Sequence, residues 1–582
     1  MGFNPIAGIL KRRLLIVFLA VALLVAGVLS FRELPLQAYP GVAPLSVQAI
    51  TQWPGRSTTE VEQQITIPIE NALAGVPDVQ SFRSVSLFGL SVVTLKFKEG
   101  TDSFKARQNF SQYLASANLP TGVQPSLSPD SDATGEIMRF RLVGNGVDLT
   151  TLKSYQDYDI TKELKHIQGV ADVTSFGGQV KEYHIVPSPA KLQSYGITLA
   201  QLITSVGNAN NNTGGNLLRD GEQQFVVRGV GLLQTVDDIR NVVVAANNGV
   251  PVHVRDIAEV ETGHVHRLGM VQYNDQPDVV EGIVLLKRDA NATEVLAKVR
   301  EKVAELNNGV LPKSIQVKPF YDRQVLLDIT MGTVEHTLVV GISLVLAVLF
   351  VFLGNFRAAA VVAAVIPLAL CVSFISMEHF HVPANLISLG AIDFGVIVDA
   401  AVIVMENIMR HLEEGAEKLE DAIVKATNEV QRAMIFSTGI IIVAYSPLFF
   451  IGGVEGIIFK PMAFTMGFAL MASIVLSLTF VPATTSFVFG KTLHPHSPAF
   501  IAAILRWYKP LLRKLIARPM AVFATAITAL LLTLYSATFL GTEFLPTLEE
   551  NNLWLRITLP NTVDLDYSAS VANDLRIYFT KQ

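Results

Sequence analysis

Apolar residues fall along this chain in two regimes. In seven stretches they run almost unbroken for the roughly 20 residues a helix needs to cross a bilayer. These are 14–31, 337–353, 358–377, 386–409, 434–451, 461–488 and 520–540. Between the first and second, residues 32–335 carry mixed charge and frequent Gly and Pro, the texture of a water-soluble domain. Within it, 46–52 and 91–97 alternate with period two as half-buried strands do, while 57–74 and 150–167 have amphipathic helical spacing. Gly75-Val-Pro-Asp-Val-Gln-Ser-Phe82 matches Gly169-Val-Ala-Asp-Val-Thr-Ser-Phe176 at six of eight positions. Each copy follows one of those helices and opens a strand, which points to a duplicated module. Residues 182–186 read as the next strand of the second copy, and 279–286, a helix at 292–306 and 315–321 complete a further βαβ unit. Strand, helix and strand in this order predict ferredoxin-like modules. From 201 to about 268 the pattern changes to Asn/Gly-rich turns, as at 210–215 and Asn247-Asn248-Gly249, which predicts a small inserted domain. The fold class is an α-helical polytopic membrane protein of about seven spans with a large α+β domain outside the bilayer.

Cations in the loops set the orientation. Lys11, Arg12 and Arg13, then Arg357, then Arg410, Lys418, Lys425 and Arg432 fall on one side. Lys491, Arg506, Lys509, Arg513, Lys514 and Arg518 join them, and the short loops opposite carry only Lys460. The N-terminus is therefore expected in the cytoplasm and the soluble domain outside it. Lys11-Arg12-Arg13 could open a signal peptide, but the long apolar run and the lack of an A-x-A pattern before Phe31 favour an anchor. After the last span, 552–559 reads as a strand and 564 onward as a helix. The chain then stops at Gln582, so this second outer segment reads as cut short.

Composition narrows the function classes. Of 582 residues, 50% are hydrophobic and 16% charged, and the net charge of −5, with no overriding Lys/Arg cluster, argues against a nucleic-acid partner. Cys371 is the one cysteine, which excludes a disulfide framework and a thiolate metal site. There is no G-x-S-x-G, Walker A or H-E-x-x-H pattern, so neither hydrolysis nor an ATP motor finds support.

Three acids, Asp393, Asp399 and Glu406, interrupt the fourth apolar stretch. An aspartate at a helix centre in the bilayer costs roughly 2.5–3.5 kcal/mol, so three acids cost on the order of 8 kcal/mol. Such acids usually face a protein interior or a wet cavity and carry protons or ions. In one continuous helix Asp399 and Glu406, seven apart, share a face, and Asp393 points about 120° away. Desolvation keeps a carboxyl neutral and a nearby cation ionises it, so moving a cation or admitting water switches it between loaded and empty. No Lys or Arg lies inside any span, and a counter-charge has to come from other sequence. Two structural alternatives stand beside this. Acids near a helix end can snorkel, which suits Glu406 but not Asp399; acids can also simply bridge helices.

Asp393-Phe-Gly-Val-Ile-Val-Asp399-Ala-Ala-Val-Ile-Val-Met-Glu406-Asn407 resembles the fourth-helix signature of resistance-nodulation-division transporters, in their heavy-metal efflux branch. Tyr39-Pro-Gly, Trp53-Pro-Gly, Glu60-Val-Glu-Gln-Gln and Glu543-Phe-Leu-Pro-Thr-Leu-Glu-Glu are similar to the same family, so the likeness covers essentially the whole chain. It implies an inner-membrane proton antiporter working as a homotrimer with a periplasmic adaptor (membrane fusion) protein and an outer-membrane channel. No cofactor is implied; the cation and the protons are substrates. Asp393, Asp399 and Glu406 match the acids implicated in proton relay. The implied layout is a cytoplasmic 1–13, a span at 14–31 and a periplasmic porter domain at 32–335 with a docking insert at about 201–268. Spans two to six fill 336–490, an amphipathic cytoplasmic connector 491–519 and the seventh span 520–540. Residues 541–582 begin a second porter segment. The pattern holds only the first half of such a transporter, whose porter methionines belong to the other half.

Three acids with Asp-Phe-Gly resemble the exporters of divalent zinc, cobalt, cadmium and nickel rather than those of monovalent copper and silver. Direct ligands are few. His264 and His266 lie two apart and could share a strand face, though a solvated loop pair is the preferred account. Met377, Glu378, His379 and His381 crowd one outer loop, where a cation-capture patch competes with ordinary loop solvation. Met462 with Met466, and Met405 with Met409, are spaced like Cu(I) steps but read first as core or lipid-facing residues. An amphiphile exporter of the same superfamily, which usually has two adjacent acids where this chain has Val398-Asp399, and a non-transport sensing or assembly subunit remain as alternatives.

Overall fold

The computed structural model describes residues 5–34, 36–37, 41, 43–132, 135–247, 249–274, 276–288, 290–390, 392–413, 419–489, 499–541, 555–560 and 562–580. The chain forms two compact units, one of Met1–Gly135, Leu286–Leu296 and Asp322–Leu555, the other of Glu136–Leu285, Ala297–Tyr321 and Arg556–Gln582.

In the first unit, strand Ser46–Gln52 and strand Leu90–Phe97 bury every second residue, as their alternation predicts. They lie in a four-stranded sheet ordered 79–87, 90–97, 46–52, 126–127, in which each paired neighbour is antiparallel. Helices over 58–73 and 103–114 cover one face, closing a core of Val47, Val93, Leu95, Ile65, Ile69 and Phe110. Ser57 and Glu60 form a capping box at the start of the first helix. The second unit repeats this plan with a sheet ordered 315–322, 136–144, 280–286, 170–177. Numbered within each module, both orders are 4-1-3-2, the split-βαβ topology. Each leading helix also contains one π-helical turn, Glu62–Thr66 and Gln156–Ile160, at the same distance before its repeat glycine, Gly75 or Gly169. An unusual turn shared at one offset supports duplication more strongly than the eight-residue match does. Asp148 caps the second leading helix by accepting the Thr151 N–H at 2.7 Å, and that bond holds its carboxyl below the usual carboxylate range.

Two expectations for the second unit need correcting. Residues 182–186 do not join the repeat's sheet; strand Lys181–Pro187 pairs antiparallel with Ala258–His264 instead. Gly177 and Gly178, both at positive φ, turn the chain away, and a Cβ on Gly177 would lie 2.1 Å from the Val279 carbonyl oxygen. The insert also begins before Gln201, because Ile197 and Leu202 pack in one core with Ile239, Val252, Val254 and Ile257. Helix Pro189–Tyr195 opens it without the Asn/Gly enrichment that marks the rest. Asn248 lies outside the described residues; its flanks form the hairpin of Val243–Asn247 and Val250–His253.

The remainder of the first unit is mainly helical, with one short parallel pair, Leu36–Gln37 beside Ala384–Asn385. Among the described residues, seven helices are long and apolar enough to cross a membrane: Arg13–Glu33, Arg323–Leu353, Phe356–His379, Ser388–Glu413, Leu419–Phe450, Gly453–Val488 and Pro519–Ala537. They fall on the seven apolar stretches. The third, fourth and sixth form the interior, and Pro519–Ala537 exposes its whole surface. Small residues and hydroxyls bring them together, as is usual where lipid gives no hydrophobic drive between helices. Ser373 donates to the Thr465 carbonyl at 2.9 Å. A Cβ on Gly27 would sit 2.2 Å from the Cβ of Cys371, so the first and third helices meet through a bare backbone. Glu99, just past strand Leu90–Phe97, accepts the Gly453 N–H at 2.8 Å, which sets a carboxylate at the N-terminus of the sixth helix.

Residues 555–560, the described part of the strand expected at 552–559, are in no regular element, and 552–554 lie outside the described residues. A strand needs a neighbour for its ladder bonds, and among the described residues none pairs with this stretch. The helix expected from 564 spans Leu565–Thr580. Tyr39-Pro40 and Glu543–Glu550 lie outside the described residues.

Candidate functional site

The acidic stretch is two helices rather than one. Leu386–Gly390 is a short helix, and the helix bearing Asp399 and Glu406 starts at Phe394 and runs to Glu413. Asp393 sits at its N-cap. Its carboxylate accepts the N–H groups of Gly395 (2.9 Å) and Val396 (3.3 Å), and its carbonyl accepts that of Ile397 (3.2 Å). An aspartate competes well with the backbone for such bonds and favours caps over helix interiors. Its negative charge also suits the positive end of the helix dipole. Asp393 is therefore not the intrahelical acid that a continuous helix over 386–409 would make it, and a cost counted as three acids at a helix centre is too high. A cap is separable from a proton carrier by substitution. Asp393→Asn keeps an acceptor and is expected to leave the bundle's thermal stability nearly unchanged, whereas Asp393→Ala lowers it by about 1 kcal/mol.

Asp399 and Glu406 share one face, as their spacing predicts. Both line a groove of about 590 Å³ between the Phe394–Glu413 helix and the Arg323–Leu353 helix. Gly395, Val398 and Val402 complete the acidic wall, and Leu344, Val348, Phe352 and other apolar residues form the opposite one. The two carboxylates are two turns apart, about 10 Å along the axis. No Lys, Arg or His is among the lining residues. Neither acid makes a hydrogen bond or ion pair among the described residues, and both are exposed to the groove. That weighs against helix bridging, which requires partners. Two ionisable groups on an otherwise apolar groove wall can bind and release protons, and among the described residues they hold nothing in place.

The back of the helix is fixed elsewhere. Ser473, on the sixth helix, donates its hydroxyl to the Ile397 carbonyl. One turn further along, the Ser477 hydroxyl is buried with no hydrogen-bond partner among the described residues. Near the far end, Glu429 accepts from Asn407 at 3.1 Å and from Arg410 at 3.0 Å, with His411 at 3.5 Å. Asn407 also donates to the Ala426 carbonyl at 2.7 Å. Sequence reasoning passed over Ser473 and Glu429. Asn407, next to Glu406 and about 100° further round the helix, was the available signal, because a buried amide needs partners from a neighbouring helix. Phe394 packs its ring against Gly341, where a Cβ would lie 2.4 Å from a ring carbon, so this glycine sets how closely the two groove helices approach.

The cation candidates do not converge. His264 ends its strand with a ring nitrogen 3.0 Å from the Val265 carbonyl, and His266 lies beyond the strand, so the two share no strand face. Met377 is fully buried and its sulfur accepts from the Thr465 hydroxyl at 3.3 Å, which removes it from the outer-loop patch. Glu378 is half-buried, His379 packs edge-on to Phe380, and His381 is exposed at positive φ. Met405, Met409 and Met466 are buried and Met462 is half-buried, in keeping with a core role. No group of three or more His, Cys, Asp or Glu side chains is arranged to hold a metal among the described residues.

The profile of the AcrB/AcrD/AcrF family matches residues 6–582. The cation efflux system protein CzcA of Alcaligenes sp. (strain CT14) is 36% identical over 574 residues, covering 95% of this chain and 54% of that protein. The nickel-cobalt-cadmium resistance protein NccA of Alcaligenes xylosoxydans xylosoxydans is 34% identical over 612 residues, with coverage of 97% and 56%. The cation efflux system protein CusA of Escherichia coli (strain K12) is 35% identical over 567 residues, with coverage of 94% and 54%. A crystal structure of a heavy metal efflux pump (crystal form II) superposes with a TM-score of 0.91 at 37% identity, covering 99% of this chain and 56% of that one. The chain thus spans about half the length of the relatives it matches.

Proposed function

The chain belongs to the AcrB/AcrD/AcrF family, and on that premise we propose that it forms part of an inner-membrane permease that exports divalent heavy-metal cations in exchange for protons. The observation that carries this is the pair Asp399 and Glu406, unpartnered on the wall of one groove between two membrane helices. A proton arriving from outside neutralises a carboxylate there, and its departure restores the charge. Alternation between these states gives the helices two electrostatic conditions, and a cation-binding site elsewhere in the protein can be coupled to them. Relatives named for resistance to nickel, cobalt, cadmium and zinc support a divalent cargo. In this proposal 32–335 is the periplasmic porter domain, and the working assembly is a homotrimer with a periplasmic adaptor and an outer-membrane channel.

The test is transport by the full-length protein in everted membrane vesicles with an imposed proton gradient. Zinc or cobalt accumulation that collapses with the gradient is expected, with little accumulation of Cu(I) or of a cationic dye. Accumulation of the dye but not of metal would move the protein to the amphiphile-exporting class. Gradient-independent binding alone would favour a sensing subunit.

A further inference from the structure

Glu406 has a cation one helical turn away that is engaged elsewhere. Phe394 meets Gly341, and Glu406 and Leu353 lie equally far past that contact on their two helices, so both mark the same end of the groove. Arg410 follows Glu406 by four residues and falls on nearly the same helix face. An acid placed four residues before a cation is the order in which two such side chains meet most readily. Arg410 instead reaches the fifth helix, where its Nη2 donates to both carboxylate oxygens of Glu429, at 3.1 and 3.0 Å.

That hold is exchangeable. The two side chains are 53% and 51% exposed, and an ion pair in contact with water stabilises little. Glu429 also has Asn407 Nδ2 at 3.1 Å and His411 Nε2 at 3.5 Å, so releasing Arg410 does not strand its charge. Glu406 has no hydrogen-bond or ion-pair partner among the described residues. The helices packed on this one bring further charges, Arg357 at the start of the third and Lys425 and Arg432 within one turn of Glu429 on the fifth. Segments 337–353 of the second and 461–488 of the sixth carry none. A cation beside a carboxyl favours its ionised form. We propose that Arg410 is the counter-charge of Glu406, holding Glu429 while Glu406 carries a proton and turning to Glu406 when that proton leaves. This rests on the proton exchange proposed above, and it ties the charge of the groove to the contact between the fourth and fifth helices.

Dicyclohexylcarbodiimide is the probe, because it adds to a protonated carboxyl. The acid proton passes to a carbodiimide nitrogen as the carboxyl oxygen bonds the central carbon, and the product rearranges to a stable N-acylurea. Full-length protein in nanodiscs is treated at neutral pH, and adducts on Glu406 and Asp399 are quantified by peptide mass spectrometry. Arg410→Gln is expected to raise the Glu406 adduct about tenfold while the Asp399 adduct stays unchanged. Arg410→Lys and Arg357→Gln should both stay near the wild type. Glu429→Gln removes the competing acid and should lower the Glu406 adduct. A pair that only fastened the fourth helix to the fifth would move Arg410→Gln and Glu429→Gln in the same direction, and that result overturns the proposal. So does an Asp399 adduct that rises together with that of Glu406, which reports wider access to the groove, or an Arg357→Gln effect equal to that of Arg410→Gln. A Glu406 adduct that forms equally in the wild type and in Arg410→Gln removes Arg410 and leaves the proton exchange standing. No adduct on Glu406 even in acid removes both.

Discussion

Asp399→Asn is expected to lower cation export by the full-length protein about a hundredfold or more, the scale on which losing a positioned proton-transfer group slows a reaction. The substitution is nearly isosteric and keeps a polar head in the groove, so it removes little except the exchangeable proton. Asp399 has no hydrogen-bond or ion-pair partner among the described residues whose loss could explain such an effect through stability. The measurement is zinc accumulation in everted vesicles, normalised to the amount of folded protein. Glu406→Gln is expected to reduce transport less, because Glu406 stands nearer the helix end and the interface. If Asp399→Asn transports at the wild-type rate, the carboxylate is structural.

The second large effect is steric. Gly27→Leu forces a branched side chain into the space where a Cβ alone would meet Cys371 Cβ at 2.2 Å. Arg13 ties the base of the first helix to Ser486 (3.4 Å) and Glu420 (3.7 Å). Overpacking of this kind destabilises by roughly 1–3 kcal/mol, and here it also separates two packed helices. Thermal unfolding in detergent should fall accordingly, and Cys371, buried in the native bundle, should react faster with a maleimide. Gly8→Leu is the control, since nothing lies within 4 Å of its Cβ position and no change is expected. Unaltered stability and an unreactive Cys371 in Gly27→Leu would show that the two helices are not held at this spacing.

Much of the fold was legible because its signals are local. The seven spans follow from uninterrupted apolar runs, and the modules follow from alternation beside amphipathic helices. The shared face of Asp399 and Glu406 needs only a helical repeat of 3.6 residues. What escaped the sequence depends on competition between local choices or on distant contacts. Asp393 reads as one more residue of an apolar helix until its side chain takes the N–H groups of Gly395 and Val396, and a periodicity count has no term for that. Residues 182–186 alternate like a strand and are one, but strand pairing is non-local, and their partner lies at 258–264. Ser473 was invisible for a related reason. A serine in an apolar span can bond its own helix or a neighbour, and only packing decides. The His264 and His266 spacing failed because the strand ends at His264.

The central claim is that Asp399 and Glu406 exchange protons in step with cation movement. It is met most directly by full-length protein reconstituted in proteoliposomes with a pH-sensitive dye inside and a zinc gradient as the only driving force. The account predicts that zinc moving down its gradient drives protons the opposite way in the wild type, and that this proton movement disappears in Asp399→Asn. Zinc flux without proton movement in the wild type, or unchanged proton movement in Asp399→Asn, would contradict it.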